Sequence, residues 1–194
     1  MPQVALISRE VFPLGGGGIG EYIAACARLL ASWSEVTIFT TSSHEDRYRE
    51  LCADDGAEVL PDSVQIVFVP EATPAEQGGF FSTAHLYSSS VFDALRDHYG
   101  ARGPDLAEFS DYLGEGAVTG QARRAGLAFM RGTTVGVRLH TTAEVCAILD
   151  GHILDEWSAR VLCELERRSL MDCDYLIWPG GDTVATTSLS CVDT

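Results

Sequence analysis

The chain of 194 residues is long enough to enclose one sizeable hydrophobic core. Its content of 46% apolar and 21% charged residues is typical of a globular protein and excludes an intrinsically disordered one. The formal net charge of -15 argues against nucleic acid as a partner and against a basic patch that docks on membranes.

The chain opens with a short apolar run, a glycine-rich turn and a helical pattern. Residues 4–8 read as a strand, and the glycines fall within residues 15–20. The apolar residues that follow recur at the spacing of one helix face: Ile19, Ile23, Cys26 and Leu30. A strand, a glycine turn and a helix in this order are typical of α/β folds that hold nucleotide-type ligands. Because the helix N-terminus is positive, we expect an anion such as phosphate at this turn.

The alternation of strand and helix continues along the whole chain. Further strands are predicted over residues 36–40, 64–69, 105–109, 133–139 and 175–178. Helices are predicted over residues 44–53, 80–99 and 113–125. A short helix is predicted to begin after Thr141 or Thr142, either of which can cap it. The last helix is predicted from a buried stripe of Leu154, Trp157, Val161 and Leu165. This order predicts an α/β fold with a doubly wound, mostly parallel sheet and helices on both faces.

The spacing of the glycines leaves three interpretations of the turn open. Gly15, Gly17 and Gly20 satisfy the dinucleotide pattern G-x-G-x-x-G. However, residues 9–14 separate the strand from the first glycine, and the second strand ends in residues 40–43, Thr-Thr-Ser-Ser, where a ribose-binding acid is expected. A surface loop without a ligand is the second interpretation. The third rests on a resemblance described below.

His140 is the most informative single residue. It directly follows a strand rich in β-branched residues, where ligands of open α/β sheets gather. An imidazole both donates and accepts hydrogen bonds near neutral pH, which suits the orientation of a sugar hydroxyl. A purely structural histidine is the alternative. The remaining histidines have no evident partners in the sequence and are interpreted as structural or surface residues: His44, His85, His98 and His152.

An acidic and aromatic segment follows the strand over residues 105–109. Asp111 and Tyr112 are candidate contacts for hydroxyl groups of a ligand. The alternative is local: Ser110 or Asp111 caps the next helix, and Glu115 is a solvated acid in its first turn.

The six cysteines form no C-x-x-C pair and have no zinc-ligand spacing, so we expect no metal site. Most lie in apolar contexts, and we interpret all of them as reduced thiols of a cytoplasmic protein: Cys26, Cys52, Cys146, Cys163, Cys173 and Cys191. No segment reads as a signal peptide or as a membrane span.

Four stretches of the chain resemble the N-terminal domain of retaining glycosyltransferases with the two-domain GT-B fold, the group of glycogen and sucrose synthases. Residues 4–30 share its first strand, a spacer with Pro13 and a Gly-Gly-x-Gly turn, here residues 17–20. The strand and turn over residues 105–116 and the strand ending in His140 are similar to family segments. So are residues 165–180, although Gly180-Gly181 stand where the family usually has a serine after the proline.

The resemblance implies roles for particular residues. The glycine turn would approach the donor diphosphate and the acceptor through Gly17, Gly18 and Gly20. The acceptor cleft would be lined by Asp111 and Tyr112. The catalytic site would be formed by His140, facing the donor sugar, with Arg138 as a further binding residue. The donor would be a nucleotide-sugar and a substrate rather than a cofactor, and the acceptor would be a small molecule or glycan.

The resemblance also implies a division of the protein. Residues 1–181 would form the Rossmann-like acceptor-side domain, and residues 182–194 a polar, disordered tail. The family's second domain carries most donor contacts, and we expect it to be missing from this chain, which would then be inactive alone. The alternatives are a stand-alone module that binds a sugar or nucleotide, and a Rossmann oxidoreductase, which the missing acid disfavours.

Overall fold

A computed structural model describes residues 1–53 and 59–178. Six strands alternate with six helices. The strands are β1 (Gln3–Ile7), β2 (Glu35–Thr41), β3 (Val64–Val69), β4 (Leu106–Ser110), β5 (Thr134–Arg138) and β6 (Tyr175–Ile177). The helices are α1 (Gly18–Leu30), α2 (Glu45–Cys52), α3 (Thr83–Tyr99), α4 (Ala117–Arg124), α5 (Ala143–Leu149) and α6 (Trp157–Met171).

All six strands lie parallel in one sheet, in the order β3-β2-β1-β4-β5-β6. The chain starts at the centre of the sheet, builds outward to β3, and returns to place β4 on the other side of β1. The strand order therefore reverses between β1 and β4, and ligands of such sheets bind outside the carboxyl ends of the strands at this point.

Helices cover both faces of the sheet because neighbouring residues of each strand point to opposite sides. Val4 and Leu6 pack on one face with Ile23 and Ala27 of α1. The opposite face is a second core, formed by strand residues and α3: Ala5, Ile7, Phe39, Phe109, Val137, Tyr87, Val91 and Leu95. The predicted doubly wound, Rossmann-like fold is confirmed.

Two details of the predicted helices are wrong. The helix predicted from residue 113 begins only at Ala117, because Leu113 and Gly114 have left-handed φ values of 63° and 64° and form a tight turn. Trp157 does not belong to the buried stripe of α6. It is the first residue of that helix and is 68% exposed, whereas Leu165, two turns later, is 6% exposed.

Other local predictions are confirmed. The Thr142 side chain caps α5 by accepting a hydrogen bond from the backbone N–H of Val145 at 3.2 Å. Glu164 and Arg168, four residues apart on α6, form an exposed ion pair at 2.8 Å. Within residues 1–53 and 59–178, no helix combines the length and the apolar character needed to cross a membrane.

Candidate functional site

The site lies at the carboxyl ends of β1, β4 and β5, where the strand order reverses. His140 follows β5 by two residues, and Asp111 directly follows β4. The backbone N–H of His140 donates to Asp111 Oδ2 at 2.9 Å. The His140 ring also lies edge-on to the ring of Tyr22 in α1, with 5.8 Å between centroids. The fold therefore brings Asp111, His140 and the helix that starts at the glycine turn together.

The glycine turn fits tightly against its own surroundings. Gly17 precedes α1 with a φ of 122°, a conformation that side chains disfavour. A Cβ at Gly20 would lie 3.0 Å from the carbonyl oxygen of Gly15 and 3.1 Å from the nitrogen of Phe12. The close approach of α1 to the turn therefore favours glycine at position 20. A Cβ at Gly18 would meet open space.

The carboxylate of Glu10 lies against Gly17, where a Cβ would collide with it. Its backbone N–H donates to the Ser8 hydroxyl at 3.0 Å. A carboxylate at this place repels a phosphate and accepts hydrogen bonds from hydroxyl groups. Glu10 follows the end of β1 by three residues, and nothing in the sequence indicates that its side chain folds back onto the turn.

Arg138 is largely buried and paired. Its Nε lies 3.0 Å from Glu108 Oε1, and its guanidinium stacks 3.7 Å from the centre of the Tyr22 ring. The Tyr22 hydroxyl donates to the same oxygen of Glu108 at 2.7 Å. Burial raises the pKa of Tyr22, so the phenol stays protonated as this donor. Arg138 thus ties α1 to β4 and β5 next to His140.

The imidazole of His140 is partly buried. Burial lowers its pKa, and the nearby charge of Arg138 lowers it further. The ring is therefore neutral at neutral pH and keeps one nitrogen as an acceptor and one as a donor. A neutral ring of this kind can orient a hydroxyl group.

Asp111 and Tyr112 differ in exposure. Asp111 is fully buried at 0% exposure, and its Oδ1 has no hydrogen-bond partner. Burial raises the pKa of Asp111 to about 6, although the backbone N–H groups of His140 and Thr141 oppose this shift. Tyr112 is partly buried, and burial raises the pKa of its phenol.

The capping alternative for this segment is wrong. Asp111 stands at the N-cap position of the short 3-10 turn Tyr112–Gly114, but its side chain makes no cap hydrogen bond there, and α4 begins only at Ala117. Glu115 is not solvated either: it is 1% exposed, and burial raises its pKa to about 7. The reason is the tight turn over residues 112–114, which carries Glu115 inward.

Glu115 pairs with Arg9, which sequence reasoning missed. The backbone N–H of Arg9 donates to Glu115 Oε1 at 3.1 Å, and Arg9 Nε lies 3.4 Å from the same atom. The guanidinium of Arg9 lies 3.8 Å from the centre of the Tyr87 ring. The pair joins the end of β1 to the turn after β4. Only the position of Arg9 after an apolar strand could have indicated it.

His44 also has a defined place. Its Nε2 lies 2.7 Å from the carbonyl oxygen of Arg9, and its ring packs where a Cβ of Gly15 would stand. No local pattern indicates this contact, because it joins the residue before α2 to a residue that follows β1. His44 therefore packs against the glycine turn at Gly15.

The described cysteines carry free thiols: Cys26, Cys52, Cys146, Cys163 and Cys173. Among residues 1–53 and 59–178, no three side chains of His, Cys, Asp and Glu gather in an arrangement that could hold a metal ion. Cys191, the Gly180-Gly181 pair and the predicted tail over residues 182–194 lie outside the described residues. No protein-family model matches the chain, and no curated protein matches it in sequence.

Proposed function

We propose that this chain is the N-terminal, acceptor-side domain of a retaining GT-B glycosyltransferase. The full protein would transfer a sugar from a nucleotide-sugar to an acceptor hydroxyl. The proposal rests on the sequence resemblance of residues 4–30, 105–116, 137–141 and 165–180. The all-parallel sheet with a reversal between β1 and β4 is compatible with such a domain.

The observation that carries the proposal is the place of His140. It stands at the carboxyl end of β5, contacts Tyr22 of α1 at 5.8 Å between ring centroids, and is anchored through its backbone to Asp111. A neutral imidazole beside α1, the helix that begins at the glycine turn, has the right hydrogen-bonding groups for a sugar hydroxyl. In the proposed enzyme, His140 would face the transferred sugar.

Glu10 supports the assignment to the acceptor side. Its carboxylate at Gly17 disfavours a diphosphate held by this turn alone and favours hydroxyl groups. The positive groups that stabilise the leaving diphosphate would come from the second domain of the family. We accordingly propose that the isolated chain does not transfer sugar, and that its partners are the acceptor, the nucleotide-sugar and that second domain. The free thiols are compatible with a cytoplasmic location, which we propose as well.

The direct test is to read the gene beyond the codon for Thr194. A second α/β half with two glutamates near a helix start supports the enzyme, whereas a stop codon supports a stand-alone binding module. The protein test is calorimetry of the purified chain with a panel of free sugars, nucleotides and nucleotide-sugars, together with an assay of nucleotide release. We expect weak sugar binding, no release, and loss of binding in His140→Ala but not in the exposed control His152→Ala.

Two results would contradict the proposal. Turnover by the isolated chain that disappears in His140→Ala would mean that a complete active site lies within these residues. Tight nucleotide binding that is indifferent to sugars and to His140→Ala would favour the module that binds nucleotides without catalysis.

A further inference from the structure

Two buried carboxylates hold the two ends of the segment over residues 140–143. At one end, Asp111 Oδ2 accepts the backbone N–H of His140 at 2.9 Å. At the other end, both carboxylate oxygens of Glu166 lie 3.0 Å from the backbone nitrogen of Ala143. Between them, the Thr141 hydroxyl donates to the carbonyl oxygen of His140 at 2.6 Å.

Glu166 also holds the turn that carries Asp111. Its Oε1 accepts the backbone N–H of Leu113 at 2.9 Å, and Leu113 is the only described non-glycine residue with a positive φ. The neighbouring Gly114 packs so closely on α6 that a Cβ there would lie 2.6 Å from the Cβ of Leu165. One side chain of α6 therefore fixes both the turn after β4 and the start of α5.

Neither carboxylate is placed to touch a ligand. Asp111 is 0% exposed and Glu166 is 1% exposed, and the hydrogen bonds of both go to backbone N–H groups. Bonds from N–H groups to a carboxylate are stronger than those between neutral partners. Burying an acid is costly unless hydrogen bonds compensate it, and for Asp111 and Glu166 the backbone N–H groups of His140, Leu113 and Ala143 supply this compensation.

We infer that Asp111 and Glu166 are positioning residues, which fix the backbone of residues 140–143 and thereby set the orientation of the His140 ring. The role of the His140 ring in binding rests on the proposed function, whereas the hydrogen bonds that fix its backbone do not. It replaces direct contact between Asp111 and the acceptor with an action through the backbone of His140.

The test uses the full chain and amide hydrogen exchange measured by NMR, without any sugar. In Asp111→Ala we expect exchange of the His140 amide to rise by about tenfold, and in Glu166→Ala the same for Ala143 and Leu113. The ring proton shifts of His140, which the nearby Tyr22 ring sets, should move in both variants. Asp111→Asn and Glu166→Gln keep an acceptor oxygen and should restore most of the protection.

The matched control is Glu164→Ala, an exposed acid on the same helix, which should leave these amides and the His140 ring unchanged. The amide of Ile38 in β2 reports global opening. If Ile38 exchanges faster by the same factor, or if the His140 ring shifts stay constant in the Asn and Ala variants alike, the inference is wrong. The exchange experiment uses no sugar. A negative result in the sugar-binding test therefore does not change what the exchange experiment says about Asp111 and Glu166.

Discussion

Glu108 of β4 and Arg138 of β5 form an ion pair between neighbouring strands, with 3.0 Å between Arg138 Nε and Glu108 Oε1, although Arg138 lies opposite Ser110 in the register of the sheet. Both side chains are largely buried, and the Tyr22 ring covers the guanidinium. Removing one partner of a buried pair leaves the other charge without compensation, which costs more than the pair itself contributes. This pair therefore stabilises the packing of β4, β5 and α1 around the site, whichever ligand the site binds.

We predict that Arg138→Met lowers the free energy of unfolding by roughly 3 kcal/mol, because it leaves Glu108 buried and uncompensated. The double variant Glu108→Gln/Arg138→Met should recover most of this loss. Arg168→Met, which breaks an exposed pair with Glu164, should cost less than about 1 kcal/mol. Urea denaturation measures all three, and equal losses for the two arginines would contradict the prediction.

Stability should fall as the pH rises through the neutral range. Burial raises the pKa of Asp111 to about 6 and those of Glu115 and Glu166 to about 7. In the folded state these three acids bind more protons than in the unfolded chain between about pH 4 and 7, so their contribution to stability decreases with increasing pH across that window. Burial lowers the pKa values of His85, His98 and His140, which opposes this trend below about pH 6.5, so the decrease is expected above that pH. These acids stabilise the folded state fully only below the pKa values that they have in the unfolded chain, about 4.

Urea denaturation at about pH 5 and about pH 8 measures this effect, and we expect a loss on the order of 1 kcal/mol or more at the higher pH. Glu115→Gln should flatten the profile, whereas Glu164→Gln should not. A profile of Glu115→Gln that falls as steeply as that of the wild type between about pH 5 and about pH 8 would contradict the assignment of this buried acid.

His140 should titrate below the ordinary range of histidine. Burial lowers its pKa, and the charge of Arg138 adds to the shift. Proton NMR of the ring should place the midpoint below about 6.5. Arg138→Met should raise the midpoint, provided that circular dichroism shows the variant to be folded. A wild-type midpoint at the ordinary value would show that the ring is solvated, and one above it that the ring is paired with an acid.

Two glycines of the turn should respond in opposite ways to alanine. Gly20→Ala should cost about 1–3 kcal/mol, because its Cβ would press on the backbone of Gly15 and Phe12. Gly18→Ala, at the first position of α1 and facing open space, should be neutral or stabilising by up to about 1 kcal/mol. Thermal or urea denaturation measures both. Equal losses would mean that the turn is not packed as described.

The two apolar residues predicted together in the stripe of α6 should also differ. Leu165→Ala should cost about 3 kcal/mol, because Leu165 is buried against the turn of Gly114. Trp157→Ala should change stability by less than about 0.5 kcal/mol, since its ring is mostly exposed. A large loss for Trp157→Ala would show that the residue is covered in solution.

The fold was predictable because its signals are local and repeated. Apolar runs such as residues 64–69 predict strands from their composition alone. A capping residue such as Thr142 predicts the start of a helix to within a few residues. Strictly alternating strands and helices leave the doubly wound parallel sheet as the natural arrangement. That arrangement places residues that follow strands, such as His140 and Asp111, at one edge of the sheet.

The sequence by itself determined the sheet and its helices, and it placed the glycine turn and His140 after the ends of strands. Only the tertiary structure decided which side chains of the site are exposed and which are buried and bound to other parts of the chain. Glu115 is interpreted from the sequence as a solvated acid and Asp111 as a ligand contact, yet both are buried, as is Glu166. Their partners lie far away in the chain, as Arg9 and Glu115 do, and no local pattern encodes such a contact. Burial and pairing are properties of the packed core, so they exist only once the strands and helices have come together.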